Sequence, residues 1–240
     1  MNYLITGASR GVGLAICEVL LNNGHTVYSI NRTYSKELKT LVSKFERNLF
    51  FKSIDLSDPN SLKKSVFKDF LTNKVILHGF INNAALAYDD IITNLSLESL
   101  DLMYRVNVYS PMILTKYAIR NMLLHKTKGS IIHISSISAH TGYKGLAMYA
   151  SSKGAMEAFS KNTAREWGEL GIRSNTVVPG FMDTAMSESL SDDQRNRIYN
   201  RTSLKTPTSI SSVAETVAFL LSDSAKSITG QNIHVDSGTI

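Results

Sequence analysis

Cysteine is almost missing from this chain, with Cys17 standing alone among 240 residues. No internal disulfide is possible, a cysteine-based metal site has no partners, and a reducing, cytoplasmic setting is expected. Cys17 lies on the apolar face of a helical pattern, where a small buried hydrophobe is expected. The six histidines, His25, His78, His125, His133, His140 and His234, do not cluster at ligand spacing, so no metal is expected. Also lacking is any run of the ~20 apolar residues that a membrane-spanning helix needs, which points to a soluble protein with no membrane partner. Met1 to Gly7 holds no charged segment followed by an apolar one, and no export signal is read there. No linker, repeat or low-complexity tract marks a boundary, so 1–240 is read as one domain. The net charge is +6, but basic residues such as Lys36, Lys63 and Lys126 are scattered among acidic and apolar ones. That is the pattern of a solvated surface, not of a nucleic-acid groove.

What the chain does contain is alternation. Short β-rich runs at Tyr3–Thr6, Thr26–Ile30, Leu49–Ile54, Gly79–Asn82, Ser130–Ser135, Arg173–Val178 and Asn232–Val235 are separated by longer segments of helical period. This order predicts an α/β fold: a single-domain, Rossmann-type, doubly wound parallel sheet of about seven strands with helices on both faces. Gly24 falls where the first helix should stop, and Asp58-Pro59 supplies a capping carboxylate and a fixed φ for a later helix start. The least regular stretch, 183–207, follows a late strand. Ligands of open α/β sheets bind beyond the carboxyl ends of the strands, so it is read as a substrate lid.

The turn Thr6-Gly7-Ala8-Ser9-Arg10-Gly11-Val12-Gly13 follows the first strand and opens a helix. Glycine lets backbone approach a pyrophosphate, and the N–H groups at a helix start favour its charge. Gly7, Ser9, Arg10, Gly11, Val12 and Gly13 are therefore candidate cofactor contacts. At the end of the second strand, a carboxylate would bind the ribose hydroxyls of NAD and repel a 2′-phosphate. Asn31 and Arg32 stand there instead, and Arg10 offers a second guanidinium, which favours NADP(H).

Tyr149 and Lys153 lie four residues apart, one helical turn on one face. A nearby ammonium stabilises a phenolate and brings the phenol closer to a useful proton donor or acceptor. In reduction Tyr149 would protonate the alkoxide that forms as the carbonyl carbon takes a hydride. Ser130 to Ser136 reads as a buried strand ending in hydroxyls, and alternation lets only one of Ser135 and Ser136 face the site.

The glycine spacing, T-G-x-x-x-G-x-G, and the Ser136/Tyr149/Lys153 order resemble the short-chain dehydrogenase/reductase family across the whole chain. The resemblance implies a catalytic tetrad of Asn107, Ser136, Tyr149 and Lys153. Ser136 would hydrogen-bond the substrate oxygen, and Asn107 would hold a water in a proton relay to the lysine. It further implies that Asn83 and Ala84 pass the adenosine, Asp55 and Leu56 lie beside the adenine, and Pro179, Gly180, Met182 and Thr184 contact the nicotinamide, with Tyr149 and Lys153 also touching the cofactor. Within the family the likeness runs to the 3-oxoacyl-[acyl-carrier-protein] reductases. That implies a carbonyl, alcohol or acyl-thioester substrate, an acyl carrier protein as partner, and a homotetramer or a dimer.

The chain departs from that subgroup in places. Thr127 and Leu170 stand where it presents basic residues to its acidic carrier, with Lys126, Lys128 and Glu169 beside them; Ala85 replaces a glycine, and Ser237-Gly238 a double glycine. Reduction of a free polar ketone is the alternative within enzymes. A non-catalytic NADP-binding regulator is the alternative outside them.

Overall fold

The computed structural model describes residues 1–183 and 191–240. Seven strands form one all-parallel sheet: β1 (Asn2–Thr6), β2 (Thr26–Asn31), β3 (Leu49–Ser53), β4 (Gly79–Asn82), β5 (Gly129–Ile134), β6 (Ile172–Pro179) and β7 (Asn232–Val235). Their order across the sheet is β3-β2-β1-β4-β5-β6-β7. The strand order reverses between β1 and β4, and the crevice outside the carboxyl ends of such strands is where a doubly wound sheet binds its ligand.

Alternation along the strands divides the core in two. Tyr3, Ile5, Ile81, Ile132 and Ile134 face one layer, where they pack with α1 (Gly11–Asn22), α2 (Lys36–Lys44) and α8 (Ile210–Leu221). Leu4, Phe80 and Ile131 face the other, against α3 (Leu62–Phe67) and α5 (Ser110–Leu124). Because both faces are covered, the strands read as nearly continuous apolar runs. Trp167, at the end of α6 (Ala147–Trp167), packs against the second cluster, and Cys17 is fully buried in the first. Gly24 takes φ +76° just past α1, and its N–H donates to Leu21 O at 3.0 Å, so this left-handed stop ends the helix as expected.

Two expectations need correction. Asp58-Pro59 does not begin α3: the Asp58 carboxylate is used locally, accepting the Asn60 N–H at 3.2 Å, and the helix starts one turn later at Leu62. The segment read as irregular contains α7 (Asp192–Tyr199), opened by a capping box in which Ser191 and Gln194 satisfy each other's backbone N–H groups. Among the described residues, no helix is long and apolar enough to cross a membrane, and no group of three or more His, Cys, Asp or Glu could hold a metal ion.

Candidate active site

The glycine turn is built by close contact. Gly7 and Gly11 have φ of +74° and +57°, in the left-handed region that favours glycine. A Cβ on Gly7 would meet Ala84 Cα at 2.7 Å, and one on Gly13 would meet Gly7 O at 2.3 Å. Asn83 braces the turn: its Nδ2 donates to Thr6 O (3.1 Å) and Gly7 O (2.9 Å), while the N–H groups of Asn83 and Ala84 both donate to Thr6 Oγ1 at 3.0 Å. Asn31 does the same from β2, its Oδ1 accepting the Ala8 N–H at 2.5 Å and its Nδ2 donating to Ser29 Oγ. Asn31 was expected beside the cofactor and Asn83 to pass the adenosine with its backbone; the side chains of both are turned inward and hold the glycine turn. Thr6 and Ser35, which the sequence reading missed, contribute likewise: the Ser35 hydroxyl caps α2 and donates to Ser9 O at 2.5 Å.

Among the described residues no side chain caps α1, and its first turn carries no acidic residue, so the orphan N–H groups of Gly11, Val12 and Gly13 can receive an incoming anion. Arg10 and Arg32 flank the turn with exposed guanidinium groups that make no ion pair with other described residues. A cradle that a Cβ would fill, an uncapped helix start and two uncommitted cations fit a dinucleotide diphosphate. Asp55 accepts the Ser57 N–H at 2.9 Å as a turn residue, and Leu56 is buried with its carbonyl accepting Ser110 Oγ. Ala85 has no positive φ, so its methyl meets no backbone strain.

At the carboxyl end of β5 the two serines diverge. Ser135 points inward and donates to Glu157 Oε1, while Ser136 remains partly exposed, its Oγ accepting the Ser138 N–H at 3.2 Å. Ser136 is therefore the one available to a ligand. From α6, the Lys153 ammonium lies 5.6 Å from the centre of the Tyr149 ring and donates to Ile134 O at 2.8 Å, two residues before Ser136. Lys153 is buried, and burial pushes it down to about 8 against the opposing charge of Glu157. Burial and the Asp89 carboxylate push the Tyr149 phenol up to about 12. Both causes disfavour the phenolate, in the direction opposite to the lowering expected from the Tyr–Lys spacing, and leave Tyr149 a protonated donor.

Asn107 lies in a π-helical turn (Arg105–Tyr109) between α4 (Leu97–Tyr104) and α5, a distortion that often marks functional helices. Its amide accepts the Leu86 N–H and donates to Leu86 O, both at 2.8 Å, and also donates to Ser152 Oγ at 3.1 Å. It thereby ties the segment after β4 to the helix that carries Tyr149 and Lys153. Pro179 ends β6, and the Gly180 N–H donates to Val235 O at 2.9 Å. Met182 packs against the first core cluster; Thr184 lies outside the described residues. His133 is buried, and burial and Lys153 push it down to about 3, so it is a neutral core residue.

Comparison with known proteins matches this arrangement. The family model described as "Enoyl-(Acyl carrier protein) reductase" matches residues 7–239. The chain is 34% identical over 235 residues to the 3-oxoacyl-[acyl-carrier-protein] reductase FabG of Salmonella typhimurium, covering 98% of this chain and 95% of that one. It is 31% identical over 237 residues to the L-xylulose reductase of Caenorhabditis elegans, covering 98% and 94%. Among solved structures, 4-hydroxyisoleucine dehydrogenase complexed with NADH superposes with a TM-score of 0.93 at 27% identity, covering 99% of this chain and 98% of that one. With its sheet order, glycine turn and Tyr149–Lys153 helix, the chain belongs to the short-chain dehydrogenase/reductase family, nicotinamide-dependent oxidoreductases acting on CH–OH and C=O groups.

Proposed function

We propose that this chain is an NADPH-dependent carbonyl reductase whose substrate is a 3-oxoacyl thioester, carried on coenzyme or on an acyl carrier protein. The observation that carries the reductive reading is the pairing of a buried ammonium with a phenol held protonated one turn away. When bound, the nicotinamide supplies the hydride. Ser136 Oγ donates to the substrate oxygen and stabilises the charge that develops there. Tyr149 gives its hydroxyl proton to that oxygen, and the Lys153 ammonium beside it stabilises the phenolate left behind. Asn107 holds α6 against the segment after β4, so phenol and ammonium keep their spacing.

Preference for the phosphorylated cofactor rests on Arg10 and Arg32, both exposed, and on the absence of a carboxylate at Asn31. The thioester reading rests on the likeness to the carrier-protein reductases. One feature favours the free polar ketone instead: Leu170, 55% exposed, and the exposed Glu169 stand where an acidic carrier would need cations. NADPH oxidation measured with acetoacetyl thioesters of coenzyme and carrier, and with a panel of free ketones, separates the two. Turnover of the thioesters supports the proposal; turnover of polar ketones alone transfers the assignment to them. NADPH binding with no turnover on any carbonyl would make the chain a cofactor-binding regulator.

A further inference from the structure

Glu157 lies four residues beyond Lys153 on α6, one further turn along the same face. It is only 6% exposed, yet three polar side chains converge on its carboxylate. Ser135 Oγ donates to Oε1 at 2.5 Å, His140 Nε2 lies 3.0 Å from the same oxygen, and Asn232 Nδ2 donates to Oε2 at 2.7 Å. These partners come from the end of β5, the turn after Ser136 and the start of β7. A buried carboxylate held this way is costly to desolvate, and a well-packed apolar residue would serve stability as well. Its position points to another use. Ser135 sits between Ile134, whose carbonyl receives the Lys153 ammonium, and Ser136. One hydrogen bond, donated by Ser135 to Glu157, thus fixes the backbone that places both groups.

The charge of Glu157 acts in the same direction. The groups facing Lys153 are His133 on β5 and Tyr149 and Glu157 on α6; Asp89, after β4, bears on Tyr149, while His140, stacked edge-on against His234 of β7, bears on Glu157. His133 is held neutral, so Glu157 is the acidic group that opposes the burial of the ammonium.

We propose that Glu157 is a positioning residue of the hydride-transfer site, fixing the strand end between Ile134 and Ser136 and setting a carboxylate one helical turn from the Lys153 ammonium. This rests on reading Tyr149 and Lys153 as the proton-transfer pair.

Two variants test the two halves. Glu157→Gln keeps the volume and still accepts from Ser135; the Asn232 amide, whose Oδ1 has no partner among the described residues, can turn over to accept from the new amide. Lys153 is titrated by NMR on isotope-labelled lysine, with Lys153→Met identifying its resonance. In Glu157→Gln the Lys153 titration falls by about one unit, tenfold in equilibrium. The alkaline limb of kcat/KM for ketone reduction moves with it, while the KM for NADPH is unchanged. A Lys153 resonance titrating as in the native protein overturns the electrostatic half. Ser135→Ala removes the tether and keeps the charge: kcat falls by about tenfold while the Lys153 titration stays in place. Native kcat in Ser135→Ala overturns the positioning half. If the native protein reduces no ketone, the functional reading fails by itself, while the lysine titration still decides the electrostatic role of Glu157.

Discussion

At the scale of single residues the proton inventory sets the chemistry. Tyr149 is the group whose hydroxyl can be deleted with least disturbance, because phenylalanine keeps the ring beside Lys153. Tyr149→Phe should lower kcat by about 10²–10⁴-fold, the usual worth of a positioned proton donor, with cofactor affinity within about twofold of native. Steady-state kinetics beside a fluorescence titration of NADPH checks both; native turnover in the variant would remove Tyr149 from the mechanism. The pH dependence follows from the same pair. Burial holds Lys153 at about 8, so its ammonium is present below that pH and lost above it, while Tyr149, at about 12, stays a phenol throughout. The rate of reduction should therefore fall as pH rises through about 8. A flat profile across that range would show that the lysine's charge is not used. Arg32 decides the cofactor. Arg32→Asp adds repulsion toward a 2′-phosphate as well as removing attraction, and should lower the NADPH-over-NADH preference by more than about tenfold in kcat/KM. An unchanged ratio would show that the guanidinium does not reach the phosphate.

At the scale of elements, the same chemical change has opposite signs at two glycines. An alanine Cβ at Gly13 would lie 2.3 Å from the Gly7 carbonyl, and backbone cannot yield as a flexible side chain can. Gly13→Ala should cost about 1–3 kcal/mol and weaken cofactor binding. Gly154, inside α6, has open space around its Cβ and no positive φ, so Gly154→Ala should stabilise by about 0.5–1 kcal/mol. Denaturant unfolding of the two variants decides, and equal effects would refute the packing argument. The contrast also explains what was legible beforehand. All seven strands were readable to within one residue at each end, because strands buried on both faces write their apolar content into the sequence. So was the glycine turn, since it needs glycine at fixed places. α7 was not, because a helix polar on every side carries no apolar stripe; only Ser191 and Gln194 signal its start. Glu157 was invisible for a different reason. Its partners are 22, 17 and 75 residues away in the chain, so no local pattern encodes the cluster. Asn31 and Asn83 lay between: their places were found, but whether an amide faces the ligand or the turn is settled only by folding.

At the scale of the whole molecule, several of the exposed apolar side chains are carried by one helical segment. Leu97 (75% exposed), Leu102 (44%), Tyr109 (46%) and Leu124 (63%) all lie on the continuous α4–α5 segment, which runs through the π-helical turn. A stable interface needs about 800 Å² from each partner, and exposed apolar side chains on a long helical segment can supply part of it. The net charge of +6 opposes association only weakly, because charges further apart than about 8 Å are screened at physiological salt. A second copy of the chain related by a two-fold axis would present the same stretch to itself, giving a dimer, and repetition about a further axis would give a tetramer, the two assemblies that the family likeness implies. Light scattering should return four times the chain mass, or twice it if assembly stops at the dimer. Leu102→Lys, which places a charge within the apolar group, should shift the assembly to smaller species while the isolated chain still unfolds cooperatively. If the native protein scatters as a single chain and turns over normally, these leucines need another explanation, and each site is complete within one chain.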